Sequence, residues 1–250
     1  MSVVSRIMAL LHAVAKHQPG GGTTAAIARD ARLARPTAHR LLSAMIDEGL
    51  TDRGRDGRWV LGPEIYILAS TAASRYDVSA AAQPVVRHLS TVTEESAFYS
   101  IRRGYETVCL LQQEGSFPLR SHVLYEGIRF PLGVASAGLA ILAFLPDAQV
   151  DAYLDGSDLT SEYGQPHSPA AIRERVAEAR ERGFAVNPGL IVEGSWGMAA
   201  PVLDRMGSPV GALTITGVER RFAPDRQPEL GKLLRRAAHQ LSTALEKGGR

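Results

Sequence analysis

Arg35, Thr37, His39, Arg40 and Ser43 place five hydrogen-bonding side chains within nine residues. Ala38, Leu41, Leu42 and Met45 recur among them at i, i+3, i+4 and i+7, the spacing of one apolar helix face. The polar residues are thereby left on the outer face. Arginine at a helix start, and again one turn on, can reach phosphates or guanine edges. Bidentate pairing with guanine O6 and N7 discriminates by about 1–3 kcal/mol. Thr37 suits a phosphate or a thymine methyl. His39 suits the same partners or a hydrogen bond within the protein. The chemistry predicted is contact with double-stranded DNA, and the plain alternative for each residue is a solvated helix face.

The surrounding residues predict the scaffold such a helix needs. A first helix runs from Ser2 to about Lys16, with Val3, Ile7, Leu10, Leu11 and Val14 in period. Pro19 and three glycines end it. Thr23 is the expected N-cap of a short helix, Thr24 to Ala31, whose small side chains permit close packing. Pro36 suits the first turn of the third helix, where a missing N–H costs nothing, and that helix should stop near Gly49. Leu50–Arg53 and Arg58–Leu61 flank Gly54-Arg55-Asp56-Gly57, a hairpin signal that places a wing behind the helix-turn-helix. Arg53, Arg55 and Arg58 give the wing positive charge, with Arg55 and Arg58 expected on phosphates. Ser5 and Arg6, early in the first helix, are further backbone candidates.

Charge alone supports this weakly. Net charge is +2; residues 1–65 hold nine Lys/Arg against six acids, and residues 66–250 hold nineteen against twenty. Hydrophobic residues make up 45% and charged residues 22%, the balance of an ordinary folded protein. No apolar run approaches the roughly 20 residues of a membrane span, and no signal peptide is evident, so a cytoplasmic protein is expected. The lone Cys109 excludes an internal disulfide framework.

Beyond Gly62-Pro63 a connecting helix is expected over about Glu64–Ser74, with Ile65, Leu68, Ala69 and Ala72 on one side. A helix over Ser79–Thr93 should turn Val85, Val86, Leu89 and Val92 inward. Strands are predicted at Ala97–Ile101 and Thr107–Leu111, with another near Leu119–His122. A helix follows from Ser136 to about Leu145, then one from Pro169 to Arg182, capped by Ser168 and ended by Gly183. Strands at Phe184–Val186, Met198–Leu203 and Val210–Thr216 precede a final helix, about Arg226–Glu246. The mixture predicts an α+β fold with a central antiparallel sheet. The domains read as 1–63 DNA-binding, 64–78 connecting helix and 79–250 effector-binding.

An enzyme was weighed for residues 80–250. Gly133-Val134-Ala135-Ser136-Ala137-Gly138 lacks the glycine at 134 that a nucleophile elbow requires. There is no phosphate loop, no Rossmann glycine pattern and no His-Glu-x-x-His. The histidines do not cluster with carboxylates at metal spacing, and Cys109 sits in a predicted core strand where thiols are inert. No catalysis, metal or cofactor is expected. A ligand-independent architectural DNA-binding protein remains the alternative.

The order of these elements resembles the IclR family of bacterial transcription regulators over nearly the whole chain. The resemblance is carried by Ser2–Leu11, the helix-turn-helix, Gly57-Arg58-Trp59-Val60-Leu61-Gly62-Pro63 and Phe130–Gly138. Gly183-Phe184-Ala185-Val186, Ala199-Ala200-Pro201-Val202 and Ala212–Gly217 complete it. It implies an N-terminal winged helix-turn-helix joined by a helix to a C-terminal GAF-like α/β effector-binding domain. It further implies a dimer or dimer of dimers on operator DNA, more often a repressor, modulated by a small organic carboxylate or aromatic metabolite. Matched to the family's pocket, Ser136 and Ala137 lie at a helix start whose free N–H groups favour an anion. Thr214 and Thr216 alternate along a strand and share one face. Phe130 and Trp196 are candidates for an apolar wall, and Asn187, Glu193 and Gly197 complete the set. Gly197 stands where relatives often carry a polar or cysteine side chain, so a larger pocket is expected. Two departures stand out. Arg32 replaces a turn glycine, and Pro36 replaces a residue that could donate its backbone N–H.

Overall fold

The computed structural model describes residues 2–76 and 78–248, and it divides the chain into two compact units, 1–77 and 78–250. The first unit holds α1 (Val3–Lys16), α2 (Thr24–Asp30), α3 (Arg35–Asp47), β1 (Thr51–Arg53), β2 (Trp59–Leu61) and α4 (Pro63–Tyr76). Ser2 caps α1 by accepting from Ser5 N at 3.1 Å, and Thr23 caps α2 by accepting from Ala26 N at 3.2 Å. Leu10, Val14, Ile27, Ala28, Ala38, Leu42, Met45 and Trp59 form the core. Trp59 is fully buried, and its indole N–H donates to Thr24 Oγ1 at 2.9 Å, so the wing is fastened to α2.

Two glycines join α3 to the wing. Gly49 ends the helix at φ +66, and Leu50 N then donates to Met45 O at 2.9 Å. At Gly62 a Cβ would fall 2.0 Å from Gly49 O, so only glycine admits this crossing. Arg32, in the turn before α3, sits at φ +53, the left-handed conformation that its departure from glycine implied.

The second unit contains α5 (Val78–Thr93), β3 (Ser96–Arg103), β4 (Glu106–Gln113), β5 (Arg129–Pro131) and α6 (Ser136–Ala143). It continues through α7 (Asp147–Asp155), α8 (Leu159–Tyr163), α9 (Pro169–Arg182), β6 (Ala185–Pro188), β7 (Ser195–Leu203), β8 (Pro209–Val218) and α10 (Gln227–Gly248). Six strands form one antiparallel sheet in the order β5-β4-β3-β8-β7-β6. Alternation of side chains sends Phe98, Ala199 and Ala212 toward α6 and α9, and Ala97, Met198, Ala200, Leu213 and Ile215 toward α5 and α10. The sheet is therefore covered on both faces, which accounts for its nearly unbroken burial.

Four expectations need correction. Leu119–His122 is not a strand; the added edge strand is β5, ten residues later, paired with β4. Val92 is 46% exposed, because α5 turns Ala82, Val86 and Leu89 inward instead. Leu68 is also exposed, and α4 presents Tyr66, Ile67 and Leu68 together to solvent. Helices α7 and α8 stand in a stretch for which no element was predicted. No helix among the described residues is long and apolar enough to cross a membrane.

Candidate functional site

In the first unit, α3 keeps Ala38, Leu42 and Met45 buried and leaves Arg35, His39 and Arg40 exposed; Thr37 and Ser43 are half-buried at the flank. Arg35 and Arg40 enter no ion pair among the described residues, and Ala34 gives the helix no side-chain cap. The outer face thus offers two uncommitted guanidinium groups beside uncapped backbone N–H groups, a surface suited to phosphates and base edges. His39 is less free: its ring stands edge-on to Trp59, with centroids 6.0 Å apart.

The wing arginines separate into three situations. Arg55 is exposed at the tip. Arg58 is exposed but pairs with Asp56 at 2.9 Å, a contact of small energy that a phosphate could replace. Arg53 is held within the wing. Its Nη1 donates to Gly57 O at 2.6 Å, and its guanidinium lies 3.4 Å over the Trp59 ring. Arg6 is half-buried on α1, and Ser5 bonds to Ser2 Oγ.

In the second unit, Ser136, Ala137, Gly197, Thr214 and Thr216 gather where α6 meets β7 and β8, whereas Phe130, Asn187 and Glu193 stand on β5, on β6 and in the turn before β7. Ala135 starts α6 without a side-chain cap, and Ser136 and Ala137 follow, both buried. Thr216 pairs across the ladder with Gly197, and Thr214 with Ala199. Among the described residues, three buried side-chain polar atoms lack a hydrogen-bond partner: Thr214 Oγ1, Thr216 Oγ1 and Arg175 Nη1. An unsatisfied buried hydroxyl costs about 1–3 kcal/mol, so two on one strand face demand an explanation.

Two adjoining cavities supply the setting. A small inner one of about 20 Å³ is lined by Ser136, Asn187, Gly197 and Thr216 among others. An outer one of about 720 Å³ is lined by Phe130, Glu193, Arg120, His122 and the 191–195 turn. Thr214 and Ala137 border neither cavity and lie sealed behind the inner one.

Three of the expected residues behave differently from their assignments. Gly197 leaves no void: a Cβ there would meet Ser136 Oγ at 3.0 Å, so the serine hydroxyl already occupies the space. Trp196 edges the inner cavity, but strand alternation packs its ring with the core on the opposite sheet face. Asn187 is committed at both ends, donating Nδ2–H to Val134 O at 2.8 Å and accepting from Leu190 N at 3.0 Å. It braces the loop into α6 rather than offering a free group.

Sequence reasoning missed the 114–128 loop. Ser121 Oγ lies 2.5 Å from Ser195 Oγ, and Val123 lines both cavities. Polar residues Arg120, Ser121 and His122 between two apolar strands were the available signal. Glu95 sits at the edge of this region, against the backbone of Gly217 in the outer cavity wall. Burial raises its carboxyl above the usual range, and the Arg221 guanidinium at 2.5 Å partly opposes this. Burial pushes the Cys109 thiol up to about 12, so it stays protonated and unreactive. No group of three metal-ligating side chains exists among the described residues.

Comparison with known proteins decides the family. The model of the bacterial transcriptional regulator IclR C-terminal domain matches residues 70–243, and that of the IclR helix-turn-helix domain matches residues 3–54. The chain belongs to the IclR family. Its curated relatives include the transcriptional repressor IclR of Escherichia coli, 26% identical over 87% of this chain and 81% of that protein. The HTH-type transcriptional repressor AllR of Klebsiella pneumoniae is 31% identical over 76% of this chain and 70% of its own length. Among solved structures, an IclR homologue from Microbacterium hydrocarbonoxydans, complexed with 4-hydroxybenzoate, aligns with a TM-score of 0.79 at 24% identity. That alignment covers 98% of this chain and 100% of the other. The chain is accordingly a transcription regulator with a DNA-binding helix-turn-helix, and its family is one of regulators rather than enzymes.

Proposed function

We propose that this IclR-family regulator binds operator DNA through α3 and the wing, and that a small organic carboxylate seated against α6 and β8 alters that binding. The observation that carries the effector half is the unpartnered, buried hydroxyl of Thr216, a residue lining a cavity at the uncapped start of α6. Hydroxyl donors and free helix N–H groups suit an anionic head, and the outer cavity with Phe130 suits an apolar body. Repressor relatives and the homologue holding 4-hydroxybenzoate support the same reading.

In this reading, residues 1–63 bind DNA, 64–78 connect and 79–250 sense. Arg35, Arg40, Thr37 and Ser43 face the groove, with Arg55, Arg58 and Arg6 on phosphates. The protein works in the cytoplasm as a homodimer or dimer of dimers, whose paired wings read half-sites related by two-fold symmetry. Repression is the favoured outcome, as in the named relatives.

A thermal-shift screen of the full chain tests the effector class, with benzoate and 4-hydroxybenzoate set against sugars and nucleotides. Stabilisation by the acids, lost in Thr216→Val, is the expected result. Stabilisation by sugars or nucleotides and never by acids would overturn it.

A further inference from the structure

We propose that the effector has three parts, and that Ser121 and Ser195 select the middle one. This deepens the reading of the α6 pocket as the effector site and rests on it. The inner cavity, at about 20 Å³, has room for about one water-sized group and so admits one carboxylate oxygen, whereas the outer cavity holds about 720 Å³. Val123, Ile191 and Ser195 line both, so the two cavities meet there. Across this junction Ser121 Oγ and Ser195 Oγ share their hydrogen bond at 2.5 Å, and Ser121 also accepts from Val123 N at 3.3 Å.

A ligand whose carboxylate reaches Thr216 from the outer cavity passes this junction and parts the two serines that bond across it. Both serines are half-buried, and parting them breaks the bond between their hydroxyls. An apolar linker at this point leaves both unmatched. A linker that accepts from one hydroxyl and donates to the other restores the pairing. A secondary amide does this, with its C=O accepting and its N–H donating. The effector class is therefore a carboxylate head, an amide or similarly two-sided polar linker, and an apolar tail against Phe130 and Val192 in the outer cavity.

Hippurate and 4-phenylbutyrate place the same number of atoms between carboxylate and phenyl ring but differ in the linker, amide against methylenes. Calorimetry on the full chain is expected to show hippurate binding about tenfold tighter. In Ser121→Ala/Ser195→Ala that advantage disappears while 4-phenylbutyrate still binds, which shows an intact pocket. Equal affinities in the natural protein, or an advantage that survives the double substitution, would overturn the inference. Equal affinities that both fall in Thr216→Val would reject only the serine selection. Absence of binding by either acid, or binding by both that Thr216→Val leaves unchanged, would reject the site itself and the inference with it.

Discussion

Helices α3 and α6 both begin on an alanine that cannot cap them, whereas Ser2, Thr23 and Ser168 cap α1, α2 and α9 with side-chain oxygens. A serine or threonine cap is worth about 0.5–2 kcal/mol over alanine, so both starts forgo stability. They differ in what surrounds them. Ala34, Arg35 and Pro36 stand in water, which satisfies their free groups. Ala135, Ser136 and Ala137 are buried near Thr216, whose hydroxyl has no partner among the described residues. An exposed uncommitted group tunes binding without touching stability. A buried one links binding to stability, because the ligand relieves a penalty already present in the fold.

Four variants sharpen or break this contrast, beginning with the largest effect. Arg35→Ala/Arg40→Ala should weaken specific duplex binding at least about 30-fold, from about 1 kcal/mol or more per arginine, with an unchanged melting temperature. A gel-shift titration beside a melting curve checks it; a loss of stability of comparable size would place these residues in the fold rather than at DNA. Thr216→Val should do the reverse in the second unit. It removes an unsatisfied hydroxyl and should raise stability by about 1 kcal/mol, about 2–4 °C in a chain of this size, while acid binding falls at least about tenfold. A drop in melting temperature would mean that the hydroxyl has a partner after all.

Ala135→Ser should supply the missing cap of α6 and compete with the anion. Stability gains about 1 kcal/mol, and acid affinity falls several-fold by calorimetry. Unchanged acid affinity would remove the helix start from the binding site. The smallest effect belongs to Arg32→Gly, which relieves the left-handed backbone at φ +53 and should stabilise by about 1 kcal/mol in denaturant melts. DNA affinity should hardly change, since Arg32 lies in the turn and not on the face of α3.

How much of this was readable from the sequence depended on whether local patterning fixed the answer. The helix-turn-helix was legible nearly to the residue, because Thr23, Pro36, Gly49 and the Gly54–Gly57 turn are local signals with one meaning each. Ser168-Pro169 and Gly183 bounded α9 for the same reason. Helices α7 and α8 escaped because they are short and bury only Val150, Leu154 and Leu159, too few to set a period. Strand β5 has three residues and exists by pairing with β4, a contact invisible to local propensity. That Thr214 and Thr216 share one sheet face followed from strand alternation, while their place at a pocket came from the resemblance and holds for Thr216 alone; the same alternation applied to β7 turns Trp196 away. The Ser121–Ser195 contact spans 74 positions and rests on tertiary folding alone. Positive charge alone did not reveal that Trp59 and Gly57 O already hold Arg53.

The central claim is that the two uncommitted sites act as one regulator, and an anisotropy titration of a selected duplex with and without saturating aromatic carboxylate tests it most directly. Coupling of ordinary size predicts that at least one acid in a panel including benzoate, 4-hydroxybenzoate and hippurate shifts duplex affinity at least about fivefold in the natural protein. The same acid should leave the affinity of Thr216→Val unchanged. No shift with any acid of the panel, or an equal shift in Thr216→Val, would contradict the account.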